Sequence, residues 1–316
     1  MTVCQLYAKQ MRHRGNVRYN TKNGRKRLMK LLEEDKLGGC PIDSVKLSDA
    51  KEWAIRMKEK GISYKTISND KRSLKAAFYT AIQDDCIRKN PFDFQLNTVI
   101  EDDTEPKVPL TPAQEESFLS FAQNDKVYQK YYDELIILLG TGLRISELCG
   151  LTDTDIDFEN RIINVDHQLL RSAETGYYIE TPKTKSGIRQ IPMSEKVYEA
   201  FNRVLKRRRG AKAVTIDGYS NFLFLNRDGY PKTATNYDGM FRGLAKKYNK
   251  YHEEALPKVM TPHTLRHTFC TNMANAGMNP KALQYIMGHS NITMTLNYYA
   301  HATFDSAKAE MLRIAA

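Results

Sequence analysis

Apolar side chains recur every three or four positions through the first hundred residues, the period of an amphipathic helix. TVCQLYAKQMRH and the basic NTKNGRKRLMKLLEED each read as a helix, the second ending near Gly38 and Gly39. Ser48 stands where it can cap DAKEWAIRMKEKG, which stops at Gly61. In SYKTISNDKRSLKAAFYTAIQDD, the residues Ile67, Leu74, Ala77, Phe78 and Ala81 fall on one stripe. With no alternating run between them, these segments predict a small domain of four or five helices over residues 1–100. NTVIEDDTEPKVPLTP then breaks the period: it is acidic and holds three prolines, so residues 101–110 are expected to be a linker.

Thr111, Pro112 and Gln114 form a capping-box signature, and a second domain over 111–316 is expected to start there. Helices run through YYDELIILLGTG. RIINVDHQLL, GYYIETPK and GIRQIPM are instead β-branched and aromatic, and the last two flank TKSG, a turn signal that predicts a hairpin. NFLFLN reads as a further strand or a buried segment, and the remainder as helix. The fold class expected is mainly α with a small β-sheet or hairpin insert, an α+β arrangement, with no internal repeat and no low-complexity segment.

Charge narrows the choice of partner. The formal net charge is +11. Between Lys9 and Lys30 there are nine bases and no acid. Residues 1–105 carry 21 bases against 15 acids, and the rest 27 against 22, so both parts are positive. That fits two parts gripping one polyanion, or a solvated basic surface. No apolar run approaches the ~20 residues that span a bilayer, and the N-terminus lacks the apolar stretch of a signal peptide. A cytoplasmic protein is expected. The five cysteines form no paired spacing of a zinc site or disulfide framework, so reduced thiols are expected.

Three segments concentrate chemistry: LLGTGLRISEL with Arg144 and Glu147, TPHTLRHTF with His263, Arg266 and His267, and LQYIMGHSNITMTLNYYAH with His289, Tyr298, Tyr299 and His301. Breaking a phosphodiester without a metal gathers negative charge on the non-bridging oxygens. Fixed cations must meet that charge, and a guanidinium does so bidentately. A nucleophile must attack and a proton must reach the departing 5′ oxygen. Two Arg, two His, a Lys and a Tyr supply this set. Tyrosine needs help, because with a free pKa near 10 only roughly a thousandth is phenolate at neutral pH.

Arg144 in TGLRISEL, His263 and Arg266 in HTLRH, Gly288 with His289, and a Tyr nine residues after that His resemble the tyrosine recombinase family, also called phage integrases. The resemblance covers about 300 residues, the basic helical part being similar to the family's core-binding domain. IETPKTKSGIRQIPMS and GHSNITMTLNYYAHATFDSA look closest to the integrases of conjugative transposons. It implies a site-specific recombinase working through a 3′-phosphotyrosyl link and a Holliday junction to excise and integrate such an element. Arg144 and Arg266 would clamp the scissile phosphate, His263 and His289 would hydrogen-bond it, and Tyr298 would attack. A lysine of the hairpin would be the general acid, Lys183 rather than Lys185. Glu147, one turn after Arg144, would orient it. Arg18, Lys22, Arg25, Lys71 and Arg72 are the candidates for contacting DNA in the helical domain. No cofactor and no metal are implied. The partners implied are double-stranded DNA, further copies of the chain (a dimer on DNA, a tetramer in the synapse, the helix FDSAKAEMLRIAA packing on a neighbour), and accessory excision and DNA-bending proteins. Integrases of conjugative transposons also carry an N-terminal arm-binding domain. This chain begins directly in the core-binding part, so arm-site binding is expected to be missing.

Four other readings compete. His263 and His267 have the spacing of zincin ligands, but position 264 is Thr and no third ligand is evident. LIILLGTG could open a dinucleotide fold, but position 145 is Ile and no βαβ pattern follows. A type IB-like topoisomerase would use similar chemistry without synapsis. A catalytically inactive DNA-binding protein would form no covalent adduct.

Overall fold

The computed structural model describes residues 1–15, 17–105, 108–208, 214–299 and 311–312, which divide into two compact units, Met1–Pro106 and Lys107–Ala316. No helix among the described residues is long and apolar enough to cross a membrane.

The first unit is helical: α1 (Val3–His13), α2 (Tyr19–Glu33), α3 (Leu47–Glu59) and α4 (Tyr64–Gln83). The stripe Ile67, Leu74, Ala77, Phe78 and Ala81 is buried throughout. Phe92 meets Trp53 and Phe78 with ring centroids 5.7 and 5.4 Å apart, at angles off the face-to-face stack that ring quadrupoles disfavour. Two arginines are locked onto buried carboxylates, Arg56 on Asp35 (2.7 and 2.9 Å) and Arg27 on Asp70 (2.6 and 2.7 Å). Ser48 does not cap its helix. The helix begins at Leu47, and the Lys46 N–H donates to the Asp49 carboxylate at 2.8 Å. An acid three residues into the helix satisfies the cap N–H and meets the positive helix end, so the chain enters the helix before the serine.

The second unit starts with α5 (Pro112–Asn124), and here the cap signature is observed: Thr111 Oγ1 accepts from the Gln114 N–H and Gln114 Oε1 from the Thr111 N–H, both at 3.1 Å. Then come α6 (Tyr132–Thr141) and α7 (Ile145–Gly150), the strands β1 (Ile156–Asp157), β2 (Ile162–Val165), β3 (Gln168–Ser172), β4 (Gly176–Glu180) and β5 (Arg189–Pro192), and the helices α8 (Glu195–Arg208), α9 (Ala234–Tyr251), α10 (Pro262–Asn275), α11 (Pro280–Met287) and α12 (Thr293–Leu296). α6 buries Leu135, Ile137, Leu138 and Leu139, and packs between α8 and α10.

The strands pair differently from the expected hairpin. β4 pairs with β3, from Gln168↔Glu180 to Ser172↔Gly176, while β5 joins the sheet β1-β2-β5 through Ile163↔Ile191 and Val165↔Arg189. RIINVDHQLL is therefore two strands in two sheets, separated at Asp166 and His167. TKSG lies in a connection between sheets, where Lys185–Gly187 makes one 3-10 turn. A turn signal says that the chain reverses, not which strands pair across it. NFLFLN is a buried segment holding isolated bridges, Thr152↔Phe222 and Leu225↔Pro231.

Candidate active site

The site is organised by the C-terminus of α11. A helix leaves its last carbonyls without intrahelical partners and carries partial negative charge there. Gly288 ends α11 in the left-handed conformation (φ +60°), which turns these carbonyls outward. Three consecutive carbonyls are each taken by a different arginine: Ile286 O by Arg189 Nε at 2.6 Å, Met287 O by Arg266 Nη2, and Gly288 O by Arg144 Nη2 at 3.0 Å. α6 contributes a second glycine end, where Gly142 (φ +62°) accepts from Arg266 Nη1 at 2.5 Å.

One carboxylate stands among the three guanidiniums. Glu147 Oε1 accepts from Arg144 Nη1 (2.6 Å) and Arg189 Nη1 (3.0 Å), and Oε2 from the Arg144 N–H (2.8 Å) and Arg189 Nη2 (2.9 Å). Burial pushes the Glu147 carboxyl up, but the Arg189 fork and Arg144 outweigh it and hold it at about 2. Burial, then Arg144 and Arg189, pull Arg266 down to about 9, still charged at neutral pH. Three cations around one anion leave two positive charges in excess, and such an arrangement attracts an oxyanion.

His289 follows α11 directly, buried, with Nδ1 3.0 Å from the Thr295 hydroxyl. Burial, then Arg266, Arg144, Arg189 and His263, push its pKa down to about 4, so the ring is neutral at pH 7. His263 is exposed on the first turn of α10, close enough for its charge to act on His289. Tyr298 and Tyr299 lie in a turn after α12 rather than on a helix. The Tyr299 hydroxyl donates to the Met278 carbonyl at 2.5 Å. Tyr298 packs edge-on against His267, centroids 4.9 Å apart, and its hydroxyl donates to no group among the described residues. Burial, then Cys270, hold its phenol above the usual tyrosine range, and Arg266 offsets only part of this.

The structure thus brings Arg144, Glu147, Arg266 and His289 together, with Tyr298 and His263 within electrostatic reach. Lys183 and Lys185 are both exposed, in the connection between β4 and β5. Arg189 and Thr295 were missed by sequence reasoning. Arg189 had a signal: it occupies an inward position of a strand whose other inward residue is Ile191. An arginine there must have a buried partner. Thr295 had none. In the helical unit, Lys22 and Arg72 are exposed, Arg25 is half-buried, and Arg18 stands at the N-cap of α2. Lys71 is engaged inside its own unit, donating to the Phe94 carbonyl at 2.5 Å and lying over the Phe94 ring. His301 and the segment from Phe304 onward, apart from residues 311–312, lie outside the described residues.

Among the described residues, only Asp155, Asp166 and His167 cluster closely enough to hold a cation, and both His167 ring nitrogens are already engaged, with Asp166 (2.6 Å) and the Gly150 carbonyl (2.8 Å).

Residues 109–306 match the phage integrase family. The chain is 69% identical over 314 residues to the transposase from transposon Tn916 of Enterococcus faecalis, covering 99% of this chain and 77% of that protein. A Tn1549 transposon integrase fragment bound to circular-intermediate DNA superposes with a TM-score of 0.95 at 78% identity, covering 99% of both chains. A variant of that fragment bound to transposon right-end DNA gives 0.94 at 78% identity, covering 100% of both. The chain belongs to the phage integrase family of tyrosine recombinases, enzymes that cut and rejoin DNA strands, and within it to the group of the Tn916, Tn1545 and Tn1549 transposon enzymes.

Proposed function

We propose that this chain excises and integrates a conjugative transposon by attack of the Tyr298 phenol on a scissile phosphate. The P–O5′ bond breaks, a 3′-phosphotyrosyl bond forms, and a proton passes to the departing 5′ oxygen. Arg144 and Arg266 would meet the charge that grows on the non-bridging oxygens. In the tautomer whose Nδ1 accepts from the Thr295 hydroxyl, His289 would carry its proton on Nε2 and donate to the same phosphate, and His263 would assist from the exposed side. Lys183 would deliver the proton to the 5′ oxygen. The reverse attack, by a 5′ hydroxyl of another strand, rejoins the DNA and passes through a Holliday junction. Exchange between two duplexes breaks four strands with one tyrosine each, so four copies are required, assembled as dimers on each duplex. Accessory excision and DNA-bending proteins would bring the ends together. No step calls for a cofactor. Residues 1–100 would bind the core site, 101–110 would link, and 111–316 would cut.

The observation that carries this reading is the doubly positive pocket of Arg144, Arg189, Arg266 and Glu147, with the Tyr298 phenol within electrostatic reach of Arg266. Further support comes from the Tn1549 fragments. Counted from their first residue, the substituted arginine of one and the substituted tyrosine of the other fall where this chain has Arg144 and Tyr298.

The test is adduct formation on a nicked suicide duplex of Tn1549 right-end sequence, in EDTA. A covalent adduct stable in SDS is expected from the native chain and from Tyr299→Phe, and none from Tyr298→Phe. Loss of cleavage restored by Mg²⁺ would refute the metal-free chemistry. Adduct formation by Tyr298→Phe would remove Tyr298 as nucleophile.

A further inference from the structure

We propose that Arg189 is a positioning residue for cleavage, holding in one register the three segments that carry Arg144, Lys183 and His289. The inference rests on the roles proposed above for those groups.

Arg189 cannot itself touch DNA, because its side chain is 0% exposed. Its donors are shared among three pieces of chain. Nη1 and Nη2 fork across Glu147, 42 residues earlier, and Glu147 grips both the main chain and the guanidinium of Arg144. Nη1 also donates to the Gly187 carbonyl at 3.1 Å, at the end of the connection that bears Lys183. Nε donates to the Ile286 carbonyl, 97 residues later, in the last turn before His289. Gly288 lies against the same group: a Cβ there would come 3.1 Å from Nη1 and 3.0 Å from the Ser186 carbonyl. One planar group therefore sets the spacing between α7, the β4–β5 connection and the end of α11. Lysine cannot substitute. A single ammonium does not fork across two carboxylate oxygens while reaching two carbonyls that lie in different directions. Arg189→Lys keeps the charge and loosens the frame.

The experiment uses the full chain and the nicked Tn1549 right-end duplex, measuring single-turnover cleavage, DNA Kd and thermal melting together. For Arg189→Lys, cleavage is expected to slow ~10- to 100-fold, because small displacements of reacting groups cost rate steeply, with Kd within about twofold of the native value. Because Arg189 reaches Arg144 through Glu147, the losses of Arg189→Lys and Glu147→Gln should combine to less than their product in the double variant. Should Arg189→Lys fail to fold by circular dichroism, Arg189→Gln, which keeps two donors, is read the same way. Native cleavage, multiplicative losses in the double variant, or a loss of affinity equal to the loss of rate would each overturn the proposal. Tyr298→Phe run alongside separates the two readings. Full cleavage by Arg189→Lys beside an inactive Tyr298→Phe defeats this inference alone, whereas cleavage by Tyr298→Phe defeats the nucleophile assignment and this inference with it.

Discussion

His289 shows how the pocket sets the state of a single residue. Held at about 4 by burial and by Arg266, Arg144, Arg189 and His263, it stays neutral while an unfolded histidine, at about 6.5, does not. Between those values the unfolded chain binds a proton that the folded chain refuses, so the contribution of His289 to stability falls as pH falls through this window. A DNA phosphate brings negative charge among the same cations and reverses the bias. DNA binding at pH 5.5 is therefore expected to take up a fraction of a proton per site, seen by calorimetry in buffers of different ionisation enthalpy, and His289→Asn should lose that uptake. Equal uptake by native chain and variant would place the proton elsewhere. The Gly288–His289 pair and its spacing to Tyr298 indicated His289 as a candidate. Its neutral state was not legible, because it depends on burial in the folded chain and on three guanidiniums that stand at positions 144, 189 and 266 in the sequence.

The element that does most of the assembling is α11, through the way it ends. Gly277 and Gly288 both adopt left-handed φ after a helix (+79° and +60°), yet a Cβ at Gly277 meets nothing within 4 Å, whereas at Gly288 it meets Ser186 and Arg189. Gly277→Ala is expected to cost ~1–2 kcal/mol of stability, the left-handed penalty, with cleavage intact. Gly288→Ala should cost more and slow cleavage as well. Denaturant melts and single-turnover rates on the two variants check this, and equal rates would mean that the close approach at Gly288 is immaterial. Helices were legible because period and caps are local: the stripe on α4 and the Thr111 box needed only neighbouring residues. Strand pairing was not. Alternation is the same whichever partner a strand finds, and TKSG read as a turn between strands that in fact lie in different sheets, so only the tertiary structure decides that β5 joins β2. Arginine-to-carbonyl bonds are the hardest to foresee, since every residue offers the same carbonyl.

At the scale of the whole molecule, each unit has its own buried core and its own excess of bases. If both hold one duplex, binding by the second is intramolecular once the first is engaged, and affinity far exceeds that of either alone. The full chain should lose affinity steeply with salt as counterions are released. Fragments 1–105 and 107–316 should each bind the right-end duplex at least ~10²-fold more weakly than the full chain. Filter binding or fluorescence anisotropy across a salt series measures both, and a fragment that bound as tightly as the full chain would refute shared grip.

Three successive carbonyls of α11 meet three different arginines, and this places a constraint on length rather than on identity. Carbonyls at 286, 287 and 288 survive any substitution that keeps the backbone in place. One residue inserted or deleted there rotates the helix end by about 100° and parts all three pairs at once. Lineages descending from this chain should therefore vary in the letters at 286 and 287 far more readily than in the number of residues leading to Gly288, while the exposed residues 101–105 drift in both.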